Sequence, residues 1–268
     1  MVELTQINVY PVKSCKGLTL SLAELTSYGL KNDRRWMVVD AAGTFLSQRS
    51  VPTMALIEPT LSQNVLNLKA PGMESIEVPF EHTKSSPRSV RIWDDSCTAE
   101  DCGDDAARWF SQFLGVDCRL VSIGTTYGRY VGAQYSTHQD QVSFADAFPL
   151  LLISSASLRD LNSRLDQPVP MNRFRPNLVV SGCEPFAEDQ WKRITINGFA
   201  FSVSKPCARC TVPGVDQMTG IVAQEPLTTL ATYRKGTGNK VLFGQNLINE
   251  QKSGKITIGN EVTILETY

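Results

Sequence analysis

Residues 194–203, ITINGFAFSV, alternate apolar and polar side chains on both flanks of an Asn197-Gly198 pair. A period of two sets one face of a chain against a core and the other in water. Asn-Gly supplies the two positive-φ residues of a tight turn. The stretch therefore predicts two antiparallel strands joined by a two-residue turn. A chain made of such units closes into sheets rather than helical layers. KITIGNEVTIL (255–265) repeats the pattern around Gly259-Asn260 and predicts a second hairpin. LTQINVYPV, RRWMVVD, VLNLKAP and SIEVPF read as further short strands punctuated by Gly, Pro, Asn and Asp.

Only three stretches carry helical periodicity. DDAARWFSQFLG (104–115) has an Asp cap, one apolar face and a closing Gly115. SSASLRDLNSRL (154–165) starts on capping serines and aligns Leu158, Leu161 and Leu165. EPLTTLATYRKG (225–236) has Pro226 suited to a first helical turn. A loop rich in glycine, tyrosine and polar residues, GTTYGRYVGAQYSTHQDQ, follows the first helix and divides the chain into residues 1–120 and 121–268. The expectation is a mostly β (α+β) protein in two parts with few short helices.

A formal net charge of −1 provides no overall field for a nucleic-acid polymer or an anionic membrane surface. The longest apolar run, FPLLLI (148–153), is too short to cross a bilayer, and the N-terminus has no secretory pattern. Seven cysteines without such a pattern imply reduced thiols and a cytoplasmic protein.

Two of the cysteines form the C-x-x-C of KPCARC (205–210). Zinc needs about four ligands, and the only histidines, His82 and His138, do not pair at ligand spacing. A redox dithiol starts a helix, whereas Pro213 and Gly214 follow this pair. A thiol nucleophile would have only His138 as base. The fourth reading is one soft thiolate held at a strand end, with Lys205 and Arg209 lowering its pKa, suited to a metal bound partly by other ligands. Basic residues gather in four short segments: Lys13 with Lys16, Arg34 with Arg35, Arg173 with Arg175, and Lys205 with Arg209.

FRPNLVVSG (174–182), EDQW (188–191), KPCARC and VDQMTG (215–220) resemble the MOSC domain. YPVKSCKG (10–17) and DRRWMVVD (33–40) resemble the MOSC N-terminal β-barrel domain that accompanies it. Together they are similar to the group that holds the YcbX proteins and the mitochondrial amidoxime-reducing components. The resemblance implies a MOSC β-barrel domain at 121–268 behind an N-terminal β-barrel-like domain at 1–120. It implies the molybdenum cofactor, Mo-molybdopterin, with Cys210 as the protein's metal ligand and Cys207 as a neighbour without a metal role. Lys13, Ser14, Arg34, Arg175, Arg209 and Asn246 fall on cofactor-binding positions, and Asp146 on an acidic position suited to proton delivery, to substrate orientation or, alternatively, to a helix or turn cap. The implied activity is reduction of N-hydroxylated compounds such as amidoximes, hydroxylamines and nucleobases. Electrons would come from a ferredoxin-like [2Fe-2S] or flavin reductase donor, in trans or in a C-terminal module. The alternative is a cofactor carrier or sulfur-transfer module without turnover.

Overall fold

The computed structural model describes residues 1–81, 86–136 and 139–268; His82 and His138, weighed above as zinc ligands or base, lie outside the described residues. Seven strands form a closed barrel. In chain order they are β1 (Val2–Val9), β2 (Leu150–Ser154), β3 (Leu178–Ser181), β4 (Trp191–Ile196), β5 (Phe199–Ala208), β6 (Leu242–Asn249) and β7 (Glu261–Thr267). Around the barrel the order is β3-β2-β6-β5-β4-β7-β1, and β1 returns to pair with β3. Only β2 and β3 run parallel; β1 closes the ring antiparallel, with Ile7 opposite Leu178. Alternation fills the interior with residues such as Leu4, Ile7, Leu178, Ile194, Phe201 and Leu247, all fully buried. Closure leaves no exposed edge along the ring.

The Asn197-Gly198 hairpin forms as predicted. Ile196 faces Phe199, and both turn residues have positive φ (52° and 78°). The second hairpin does not. Gly254–Thr257 pairs with Leu22–Thr26 in a separate sheet, while β7 pairs with β4 and β1. Gly259 donates its backbone N–H to the Leu4 carbonyl (2.8 Å), and the Asn260 carbonyl accepts from Leu4 N (2.9 Å). These bonds make the segment a corner between two sheets.

Residues 10–123 add a four-stranded antiparallel sheet, with Trp36–Asp40, Cys118–Ser122, Asp95–Asp101 and Pro87–Ile92 in that order. A three-stranded meander spans Glu58–Pro79. Between them α1 (Asp104–Leu114) buries Ala106, Trp109, Phe110 and Leu114. Gly115 ends the helix in the left-handed conformation, as expected, but the residue before its first turn is Gly103, not an aspartate. Asp101 instead takes the Gly103 N–H (2.8 Å), and Asp104 pairs with Arg119 (2.7 Å). In α2 (Ser155–Asn162) the Ser154 hydroxyl caps Ser157 N at 3.0 Å, and α3 (Leu227–Tyr233) starts directly after Pro226. The long connection from Ser122 to β2 is fastened by Arg129. Its guanidinium bonds Asp95 Oδ2 (2.6 Å) and the carbonyls of Ser143, Ala145 and Asp146.

Candidate active site

The turn after β1, the Asp33-Arg34 corner, the end of the long connection, the turn before β3 and the far end of β5 converge on one cleft. It has about 840 Å³ of empty volume, including its mouth. The eight residues that the family resemblance marked line it: Lys13, Ser14, Arg34, Asp146, Arg175, Arg209, Cys210 and Asn246. Three of them, Ser14, Arg34 and Arg175, have positive φ (67°, 49° and 56°). Non-glycine residues in that region cost about 1 kcal/mol or more each, and such strain persists where surrounding structure over-determines it.

Asp33, fully buried, fixes the Arg34 corner. It accepts from Tyr10 N (2.8 Å) and from Arg34 Nη1 (2.6 Å). Arg34 also donates to Asn177 Oδ1 (3.0 Å) and to the Arg175 carbonyl (3.3 Å). Arg175 donates to Gln217 Oε1 (3.4 Å); burial lowers its pKa to about 10, which leaves it cationic at neutral pH. Arg209 donates to the Phe174 carbonyl (2.7 Å) and to Cys207 Sγ (3.2 Å), and its Nε is buried without a hydrogen-bond partner. Cys207 therefore lines the cleft beside Cys210 and meets a guanidinium, a contact the sequence pattern did not disclose.

Lys13 Nζ donates to Asp146 Oδ1 (2.6 Å) and to the Phe144 carbonyl (2.7 Å). Trp93 Nε1 donates to the same carboxylate oxygen (3.2 Å). Desolvation by the cleft walls raises the Asp146 pKa, but the Lys13 ammonium and the Trp93 bond outweigh it and hold the carboxyl far below the usual range. Burial lowers the Lys13 pKa in turn, and the Asp146 carboxylate offsets part of that shift. Asn246 donates to the Lys205 and Pro206 carbonyls (3.3 and 3.5 Å), which ties β6 to the strand end that carries the thiols.

The basic clusters of the sequence split in half. Lys16 pairs with Glu58 (2.5 Å), Arg35 lies over Tyr28 (4.5 Å), Arg173 faces Asp216 (3.5 Å), and Lys205 stands over Tyr135 (4.7 Å). None of these four lines the cleft. Sequence reasoning missed Ser47, Arg49, Phe174 and Asn177, which do. Arg49 stacks 4.0 Å over Trp93. No motif marks it, because a lone arginine in a loop is indistinguishable from a solvated charge.

Among the described residues Arg49, Arg175 and Arg209 have no carboxylate within ion-pair distance. Uncompensated guanidiniums in a recess are costly unless an anion joins them. A thiol beside forked donors fits a ligand with a soft metal and a phosphate. Among the described residues no three His, Cys, Asp or Glu side chains gather as a ligand set; the soft donors lining the cleft are the thiols of Cys207 and Cys210.

The family model for the MOSC N-terminal beta barrel domain matches residues 1–117, and that for the MOSC domain matches residues 139–263. The chain is 40% identical to mitochondrial amidoxime reducing component 2 of Rattus norvegicus, over 97% of this chain and 82% of that protein. It is 37% identical to mitochondrial amidoxime-reducing component 1 of Mus musculus, over 98% and 82%. It is 35% identical to the molybdenum cofactor sulfurase of Danio rerio, over 97% of this chain but 34% of that protein. The expected cytoplasmic location is thereby corrected, since the relatives that match along nearly the whole chain are mitochondrial components. Among the described residues no helix is long and apolar enough to cross a membrane.

Proposed function

The chain belongs to the two-domain MOSC family of the amidoxime-reducing components, and from that premise we propose that it is a molybdenum-cofactor reductase of N-hydroxylated compounds. The observation that carries this reading is the excess of guanidinium over carboxylate in a cleft that also presents the Cys210 thiol. Cys210 would be the protein's ligand to molybdenum. Arg34, Arg175 and Arg209 would hold the phosphate-bearing pterin, with Lys13, Ser14 and Asn246 beside them. When bound, the group supplies the two-electron couple for cleaving an N–O bond. In the overall balance an N-hydroxyl group takes up two electrons and two protons, its N–O bond breaks, and an N–H group and water result. Electrons come from an iron–sulfur or flavin donor, in trans or in a C-terminal module.

The protein's own part is charge and orientation. Asp146, ionised, accepts a hydrogen bond from an N–H or O–H of the substrate, and Lys13 Nζ holds a proton 2.6 Å away. The cleft walls at Phe148, Leu150 and Leu151 are apolar and strengthen these interactions.

Protein produced in a cofactor-competent host should contain molybdenum and pterin and reduce an amidoxime with a reduced donor. Cys210→Ser should abolish turnover, while Cys207→Ser should keep most of it. Stoichiometric zinc without pterin would overturn the reading. The match to a cofactor sulfurase favours a second reading, sulfur carriage through a persulfide. Equal loss in both cysteine variants would decide for it.

A further inference from the structure

Arg34 and Arg175 lie 141 positions apart in the sequence, and both guanidiniums are largely buried. Left to themselves they repel. Asp33 compensates one of them, through Arg34 Nη1; Arg175 has no such partner among the described residues.

The feature common to both is Tyr10. Each guanidinium carbon stands 4.2 Å from the centroid of its ring. Their separation is therefore bounded by twice that distance. The ring is 3% exposed and anchored on every side. Tyr10 N donates to Asp33 Oδ1 (2.8 Å), its carbonyl accepts from Arg34 N (2.9 Å), and its hydroxyl donates to the Pro176 carbonyl (3.0 Å). Tyr10 thus touches both corners that carry the arginines. Gly17 leaves room for it: a Cβ there would lie 2.5 Å from Tyr10 Cε1. Burial pushes the phenol up to about 12, so the ring meets the arginines as a neutral π face and not as a phenolate.

The geometry points to Tyr10 as a positioning residue that holds Arg34 and Arg175 together as one clip for a dianionic group. This rests on the reading of the cleft as the seat of a phosphate-bearing cofactor. The hydroxyl serves only to hold the ring; the face does the positioning.

The test uses the full chain made without cofactor, titrated calorimetrically with inorganic phosphate, together with pterin content of protein from a cofactor-competent host. Tyr10→Leu should weaken phosphate about tenfold, the size of one or two lost cation–π contacts, and lower pterin content in parallel. Tyr10→Phe should stay within about twofold of wild type, because it keeps the face. In an Arg34→Ala background, Tyr10→Leu should add little, since the clip is already broken. A folded Tyr10→Leu protein that binds phosphate like wild type would overturn the role of Tyr10 and leave the cleft reading standing. Wild type that holds neither phosphate nor pterin would overturn both. Should Tyr10→Leu not fold, the arginine Nε–H resonances of wild type and Tyr10→Phe decide: both Arg34 and Arg175 should be shifted upfield by ring current, and unshifted signals would overturn the clip.

Discussion

At Asp146 the carboxylate and the Lys13 ammonium meet at 2.6 Å on the rim of a cleft, the lysine buried and the carboxylate open to solvent. The folded-state pKa of Asp146 lies below that of an unfolded aspartate, about 3.9. Between those two values the unfolded chain binds more protons, so stability rises with pH there. The contribution is complete above about pH 4 and is lost as pH falls through the folded value. Asp146→Asn should therefore flatten the acid limb of a urea-midpoint titration below about pH 4. Superimposable acid limbs would contradict the ion pair. With its carboxyl ionised, Asp146 accepts hydrogen bonds from Lys13 Nζ and Trp93 Nε1.

Strands and turns were legible where local chemistry alone decides them. Asn197-Gly198 demands positive φ at both residues and sets the flanking strands against each other, so the hairpin follows, with β7 and β6 added on its outer sides. Gly259-Asn260 carries the same local signal, yet Leu4 captures its backbone and sends the two strands into different sheets. Only the long-range partner distinguishes the cases, and sequence spacing does not contain it. The site follows the same logic. Cys210, Arg34 and Arg175 stood out because each lies inside a multi-residue motif. Tyr10 opens one of those motifs, YPVKSCKG, yet its contacts and those of Arg129 are with residues 23 to 166 positions away, and nothing local marked the role of either. At this scale Gly198→Ala is informative. Its added Cβ would meet nothing within 4 Å, so the cost is that of the left-handed backbone alone, about 1–2 kcal/mol. Urea unfolding should show that loss while pterin content remains at the wild-type level. A fall in pterin content would mean that the β4–β5 turn communicates with the thiol end of β5.

The barrel takes β1 from the first nine residues and its other six strands from residues 150–267. The boundary near residue 120, and the two family matches on either side of it, therefore divide the sequence but do not divide the sheets. Leu4 and Ile7 are fully buried among barrel residues from β3, β4 and β7. Without β1 the edges of β3 and β7 would lie open, with a vacated core between them. From β1 the chain runs directly into Tyr10, Lys13 and Ser14, so closing the barrel also delivers the N-terminal half of the cleft. Folding and site assembly are one event in this arrangement. Residues 121–268 expressed alone should accordingly fail to give a dispersed NMR spectrum or a single unfolding transition. In the full chain, Leu4→Ala should cost about 2–5 kcal/mol, as a leucine deleted from a close-packed interior does. That loss should appear in one transition seen identically by tryptophan fluorescence, which reports Trp36 in an N-terminal sheet and Trp109 in α1 as well as Trp191 in the barrel, and by far-ultraviolet circular dichroism. Two separated transitions, or a well-folded 121–268 fragment, would show that the two sequence regions are independent units and that the cleft forms by docking.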